Sequence, residues 1–466
     1  MLRNWQRDCV TSVIDHFNLH KHYFCLATPG AGKTVMAATV AKMLLETGKI
    51  DYIVCLSPSR TICESVSFTF KNLLGRPFSG RIGSVGVSLT YQSLLNGDHS
   101  VLADLVNSRV FVVLDEVHHC SGSEFVQGNA WGIQLLRQIS SLATFTLSLS
   151  GTPWRTDGDP ITFASYDSAD SGLSYQWEYG LSDAVTDKVC RLPKVIALDA
   201  IKITKNTDGS YRSYSSITEF LKDSENSYLD LLSNESLTFE VLKRGVDQLA
   251  KLRKASPAAG GLVVAASYSH ALFIKQMLED YFSQEVVLVS YKDENSIRQI
   301  EEFRQGADQW IVSIAMVSEG VDIPRLQVCC HLSATKTELY FRQVLGRIIR
   351  VTKDQTDECF FYTLAEENLL SYSQRLEQEV SGSYIKEVLT EEKVVAPPTV
   401  GRPSKAKDRD DISVFLGDDS VIDRTGLSSE DEDLVGSPSS LVSSVLSIDG
   451  IRERVIQVLM SSPPTL

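Results

Sequence analysis

The 466-residue chain holds 45 Lys and Arg against 59 Asp and Glu, a formal net charge of −14, with 43% hydrophobic residues. That length fills two or three domains with a sizeable core, and the acidic balance does not announce a polyanionic partner. No apolar run reaches membrane-span length, the opening Met1-Leu2-Arg3-Asn4-Trp5-Gln6 lacks a signal-peptide core, and nine cysteines without a Cys-x-x-Cys pair predict reduced thiols in a cytoplasmic protein rather than a zinc ribbon.

Short apolar runs alternate with helical patterns over residues 1–190. Residues 22–27 read as a strand entering a Gly-rich loop, and residues 35–45 as the helix that follows. Residues 51–56 form a second candidate strand, ending at Ser57-Pro58-Ser59-Arg60. Residues 110–114 end in Asp115-Glu116, and residues 144–148 lead to Ser150-Gly151-Thr152-Pro153. β-rich runs alternating with helices predict a parallel sheet covered on both faces. The polar residues gather just past the strand ends, where such sheets bind ligands.

Residues 191–258 read as a connecting segment, loop-like over 202–216 and helical over 217–254. A second alternating block covers 259–394, with candidate strands at 261–266, 286–289, 310–313, 328–330 and 359–362. The pattern from Glu366 to about Glu392 is helical. From Ala396 the composition turns to Pro, Gly, Ser and Asp, and residues 401–466 hold 7 Lys and Arg against 12 Asp and Glu. Residues 395–466 are therefore expected to be a mostly disordered acidic tail, with a short helix over 451–460. The predicted class is α/β, with two parallel-sheet lobes in tandem, a helical connecting segment and that tail.

Ala27-Thr28-Pro29-Gly30-Ala31-Gly32-Lys33-Thr34 carries the first chemistry. Gly30 and Gly32 let the backbone amides of the loop, with that of Ala31 between them, turn inward as an anion cradle at a helix start. Lys33 reaches phosphate oxygens, and the Thr34 hydroxyl suits magnesium. Asp115 is placed as a second magnesium ligand, and Glu116 as the group that orients or deprotonates an attacking water. Gln343-Val344-Leu345-Gly346-Arg347-Ile348-Ile349-Arg350 puts Arg347 and Arg350 three apart, on one face of a helix, with Gln343 a turn earlier. An arginine fork pairs well with phosphate oxygens. These segments predict ATP and Mg2+ held between two lobes, so that hydrolysis becomes relative motion. His118 and His119 lack further ligands at metal spacing and read as hydrogen-bonding groups. Tyr91 and Trp154 read more readily as packing groups than as base-stacking ones. Gly401-Arg402-Pro403 with its nearby lysines reads as a solvated linker.

As an ordered set, these segments resemble a superfamily 2 helicase-type ATPase, in the branch of the type III restriction enzyme helicase subunit and related DNA repair helicases. Leu2-Arg3-x-Trp5-Gln6 resembles that branch's opening motif, 27–34 motif I, 57–60 motif Ia, 90–94 the motif after it, 115–118 motif II, 150–155 motif III, 316–324 motif V, and 335–337 with 343–350 motif VI. The resemblance spans about residues 1–365 and implies two RecA-like lobes. It implies adenine recognition by Gln6, and nucleotide contact by Thr28, Gly320, Asp322 and Gln343. Arg347 and Arg350 become arginine fingers. Ser150 and Thr152 couple ATP to the nucleic-acid groove, and Ser59, Arg60 and Thr90 touch backbone phosphates. Departures from the RNA-type motifs Ia and II favour duplex or branched DNA, with RNA the second choice.

The leading expectation is an ATP-dependent DNA helicase or double-strand DNA translocase. Two alternatives remain: the motor of a restriction or defence complex whose nuclease lies elsewhere, and a nucleotide-gated interaction protein recruiting a partner through its acidic tail. No Pro-Asp…Glu-x-Lys nuclease pattern is present.

Overall fold

The computed structural model describes residues 2–95, 108–117, 141, 143–151, 165–166, 173–290, 293, 295–314, 323–352, 355–379, 383–393 and 444–460. The chain divides into two compact units, the first running to Ala184 and the second beginning at Val185.

In the first unit, strands β1 (His22–Ala27), β2 (Tyr52–Ser57), β3 (Gly86–Thr90), β4 (Val110–Leu114) and β5 (Phe145–Ser150) precede a two-residue pair, β6 (Ser165–Tyr166) and β7 (Leu173–Ser174), and then β8 (Trp177–Tyr179). The main sheet has the order β3-β2-β4-β5-β1-β8 and is parallel throughout. Every residue of β4 is buried, as are five of six in β1, β2 and β5. That burial is why these runs read as continuous apolar stretches rather than alternating ones. Phe24, Leu26, Val54, Leu56, Val112 and Leu114 form one core cluster. The strands end together in the sheet, so the polar residues after β1, β2, β4 and β5 emerge along a single edge.

The second unit departs from the expected boundaries. β9 (Leu192–Ala200) lies in the region expected to be a connecting segment, yet it is an interior strand between β16 and β19. The stretch expected to be loop-like forms a hairpin, β10 (Ile203–Thr207) with β11 (Ser210–Tyr214), turned through Asp208 and Gly209 at positive φ. The helix Glu235–Ala255 follows, then β12 (Gly260–Ala265), β13 (Val286–Val289), β14 (Trp310–Ser313), β15 (Leu326–Leu332) and β16 (Glu358–Leu364). The helix expected from 366 to 392 ends at Glu379, and β17 (Ser383–Lys393) takes its second half.

The tail also differs from expectation. Residues 444–460 form two strands, β18 (Ser444–Ile448) and β19 (Gly450–Met460), where a short helix was expected. β19 runs antiparallel between β9 and β17, giving the order β13-β14-β12-β15-β16-β9-β19-β17, and β18 closes the hairpin sheet β11-β10-β18. The physical reason is visible in Ile451-Arg452-Glu453-Arg454-Val455-Ile456. β-branched residues dominate its apolar positions, and Ile451 and Ile456 are buried in the sheet. Residues 396–440, expected to be disordered, and the expected solvated linker at Gly401-Arg402-Pro403 within them lie outside the described residues.

One close approach shapes the second core. Trp310 is fully buried, and a Cβ built on Gly261 would lie 2.4–2.7 Å from its ring. Only a residue without a side chain fits there.

Candidate nucleotide site

The Gly-rich loop leaves β1 and enters the helix Lys33–Glu46. Gly30 has φ 81° and Gly32 φ 90°, and Gly32 is the residue just before the first helical turn. These left-handed conformations are the ones glycine adopts without steric cost. They leave the first amides of a 14-residue helix unpaired toward an anion.

The loop is braced from outside by the N-terminal segment. Arg3 Nη1 donates to Ala31 O at 2.7 Å and to Gly30 O at 3.3 Å. Gln6 Nε2 donates to Gly32 O at 2.9 Å, while Gln6 Oε1 accepts from the Arg3 amide at 2.9 Å. Three successive loop carbonyls are thus bound on one side. Thr28 N donates to Tyr179 O at 3.0 Å, and the Tyr179 ring stacks on Trp5 with centroids 4.7 Å apart. A Cβ on Gly32 would lie 2.7 Å from Gln6 Nε2, which shows how tightly this brace closes.

Lys33 is buried, and its Nζ donates to Ala27 O at 3.0 Å and pairs with Glu116 Oε1 at 3.1 Å. Glu116 Oε2 accepts from the Gly151 amide at 3.1 Å. Glu116 sits at φ 49°, a conformation that costs a non-glycine residue free energy and marks a position held by its surroundings. Asp115 beside it is also buried. Its amide continues the sheet by donating to Leu56 O at 2.8 Å. A Cβ on Gly151 would meet Lys33 Nζ at 3.1 Å and Pro29 at 3.2 Å, so the segment after β5 lies against the loop. The structure therefore brings Lys33, Asp115, Glu116 and the Ser150–Gly151 turn together at the strand ends. A cradle of amides with one ammonium fits a polyphosphate. Thr34 and Asp115 are the oxygen donors that would hold magnesium.

Other expected residues fall differently. Ser59 caps the helix Arg60–Leu74 by accepting from Ile62 N at 3.4 Å, and Arg60 at its start is exposed. Thr90 Oγ1 accepts from Ser93 N at 3.0 Å. Tyr91 packs locally, with its hydroxyl donating to Asp115 O at 2.9 Å. Thr152, Gly320, Asp322, His118, His119 and Trp154 lie outside the described residues.

In the second unit, Gln343 and Arg347 lie on the helix Glu338–Ile348, both half-buried. Arg350 is not on that helix, contrary to the expected i, i+3 pair. The helix ends at Ile348, and Arg350 forms an antiparallel bridge with Cys190. The chain beyond Ile348 must turn to reach the segment before β9, a constraint with no trace in residue spacing. Sequence reasoning also missed the bracing role of Arg3, although its place three residues before Gln6 was a usable signal. It missed Arg191 as well, a lone arginine between Cys190 and Leu192 that carries no local pattern.

Eight cysteines are free and buried among the described residues, and burial pushes the Cys55 and Cys329 thiols well up, as suits inert thiols. No helix among the described residues is long and apolar enough to cross a membrane, and these residues hold no metal-binding cluster of His, Cys, Asp and Glu.

Residues 1–155 match the family model of the type III restriction enzyme, res subunit, and residues 245–352 match that of the helicase conserved C-terminal domain. The chain is 27% identical over 392 residues to an uncharacterized protein of Mycobacterium leprae, covering 81% of this chain and 64% of that relative. It thus spans under two thirds of that relative's length. Among solved structures, the ATP-dependent Type ISP restriction-modification enzyme LlaBIII bound to DNA aligns at TM-score 0.55 and 15% identity, over 82% of this chain and 30% of that one. Dbp5 of S. cerevisiae, bound to RNA and ADP BeF3, aligns at TM-score 0.51 and 13% identity, over 81% and 88%. At these identities the two structures speak to the fold alone, that of tandem RecA-like lobes.

Proposed function

We propose that this chain, which belongs to the superfamily 2 helicase-type ATPases of the type III restriction-like branch, is a DNA-stimulated motor that converts ATP hydrolysis into movement along duplex or branched DNA in the cytoplasm. The observation that carries the reading is the Lys33–Glu116–Gly151 arrangement at the mouth of the Gly-rich loop.

Each residue has a task in this proposal. Loop amides and Lys33 bind the phosphates, Gln6 meets the adenine, and Thr34 and Asp115 hold the magnesium that screens phosphate charge. Glu116 takes the proton of the attacking water. Its contact with the amide of Gly151 supports a role for Ser150 and Thr152 in relaying the state of the site to the DNA groove. Arg347 and Arg350 act on the developing phosphoryl charge, and Gln343, Gly320 and Asp322 complete the nucleotide contacts. Ser59, Arg60 and Thr90 lie against DNA phosphates.

The test is ATP turnover with no nucleic acid, single-stranded, duplex and branched DNA, and RNA. Duplex or branched DNA should stimulate most. Strong stimulation by RNA alone would move the protein to RNA remodelling. Glu116→Gln should bind ATP and lose turnover, whereas Lys33→Ala should lose both; wild-type turnover in Glu116→Gln would refute its assignment as the base. The match of residues 1–155 to the res subunit of the type III restriction enzyme favours one further reading, the motor of a restriction or defence complex, which co-purification of a nuclease partner would support.

A further inference from the structure

Arg191 is wholly buried, yet a guanidinium stays charged at neutral pH. Desolvating such a group is costly unless its protons find acceptors. Here they do. Nη1 donates to Leu326 O at 2.7 Å and to Ile348 O at 2.9 Å, and Nη2 donates to Pro324 O at 3.2 Å and to Gln355 Oε1. Nε has no partner. The backbone adds a strong bond, Arg191 N to Ile349 O at 2.6 Å, and Cys190 bridges Arg350. Burial lowers the pKa to about 10, with the nearby Cys359 and Asp357 opposing the shift.

Three segments meet on this one side chain. Pro324 and Leu326 belong to the turn that opens β15. Ile348 is the last residue of the helix that carries Gln343 and Arg347, where a cation satisfies an otherwise orphaned carbonyl. Gln355 belongs to the turn after Arg350, and its own Nε2 donates back to Arg325 O at 3.3 Å. A purely space-filling role would be served by Met or Leu at no desolvation cost. The guanidinium instead fixes where the helix ends and where the chain then turns.

We propose that Arg191 is a positioning residue for phosphoryl transfer, holding Arg347 and Arg350 in place by tying the end of the Arg347 helix, and the turn after it that bears Arg350, to the Pro324–Leu326 turn. The proposal rests on the reading of Arg347 and Arg350 as groups that act on the transferring phosphoryl. Arg191 touches neither nucleotide nor metal in this role. It removes slack from the segment bearing two residues that must be placed to within a fraction of an ångström.

The full chain is tested as Arg191→Lys, Arg191→Gln, Gln355→Leu, Arg347→Ala and the double variant Arg191→Gln/Arg347→Ala. DNA-stimulated kcat and KM for ATP are measured beside thermal unfolding. Arg191→Lys keeps the charge but cannot bridge the same acceptors. It should lower kcat on the order of 10- to 100-fold with KM within about twofold, since small misplacements of catalytic groups cost that much. Gln355→Leu loosens the clamp without emptying it and should lower kcat less, again at constant KM. Arg191→Gln should cost less in the Arg347→Ala background than it does alone, because the part of its effect that runs through Arg347 is already lost there. Wild-type kcat in a folded Arg191→Lys, parallel changes in kcat and KM, or fully multiplicative losses in the double variant would overturn the proposal. So would failure of all the Arg191 and Gln355 variants to fold, which would assign the clamp to stability alone. Undiminished turnover in Arg347→Ala would instead sink the reading of the arginines, a result distinct from any of these.

Discussion

His331→Phe should free the second unit from a loss of stability in mild acid. His331 lies in β15 with no exposed surface, and neither ring nitrogen has a hydrogen-bond partner. Its ring stacks on Phe361 with centroids 5.5 Å apart and meets Tyr340 edge-on at 6.0 Å. Desolvation lowers its pKa from 6.5 to about 4. The sign follows directly. The unfolded chain takes up a proton near pH 6.5, but the folded chain refuses it until about pH 4. Stability is thus complete above pH 6.5 and drains away as pH falls toward 4. The full difference is about 3 kcal/mol, and the share lost by pH 5.5 is on the order of 1 kcal/mol. Phenylalanine suits the aromatic slot and does not titrate. Urea titrations at pH 7.5 and 5.5, followed by hydrogen exchange of peptides from β12, β15 and β16, isolate the second unit. Other titrating groups contribute to both proteins and cancel in the difference. Wild type should lose on the order of 1 kcal/mol more than His331→Phe between the two pH values. Equal losses would show that the buried ring is not what resists protonation.

Three further outcomes follow from the packing and the proposed contacts. Truncation after Glu392 should unfold the second unit rather than trim a dispensable tail, because it strips β19 from β9 and removes the buried Ile448, Ile451 and Ile456, each worth about 2 kcal/mol; a cooperative unfolding transition like that of the full chain would refute this. Gly261→Ala should destabilise the same unit by about 1–3 kcal/mol, since its methyl group would overlap the Trp310 ring, and an unchanged urea midpoint would show that Trp310 can move aside. Arg60→Ala should weaken stimulation by all DNA sequences about equally, as a phosphate contact carries no base readout; ATPase titrations over several duplexes measure it, and a sequence-selective loss would argue for a base contact.

What the sequence determined by itself is the placement of polar residues at the strand ends of the first unit. The positions of Gly30, Gly32, Lys33, Asp115 and Glu116 were legible because each lies at a fixed offset from a buried strand, and such offsets are local. The continuous apolar runs of β1, β2, β4, β5, β12 and β14 were legible for the same reason. Only the tertiary structure decided how distant segments meet. β9 owes its place to β16 and β19, and β19 owes its place to β9 and β17, all distant along the chain, so neither the Pro193 near the start of β9 nor the short 451–460 pattern revealed a sheet interior. Arg350 left its expected helix because its backbone pairs with Cys190. Arg3 and Arg191 bind backbone carbonyls, which every residue type presents alike, so the identity of their partners leaves no mark in the sequence.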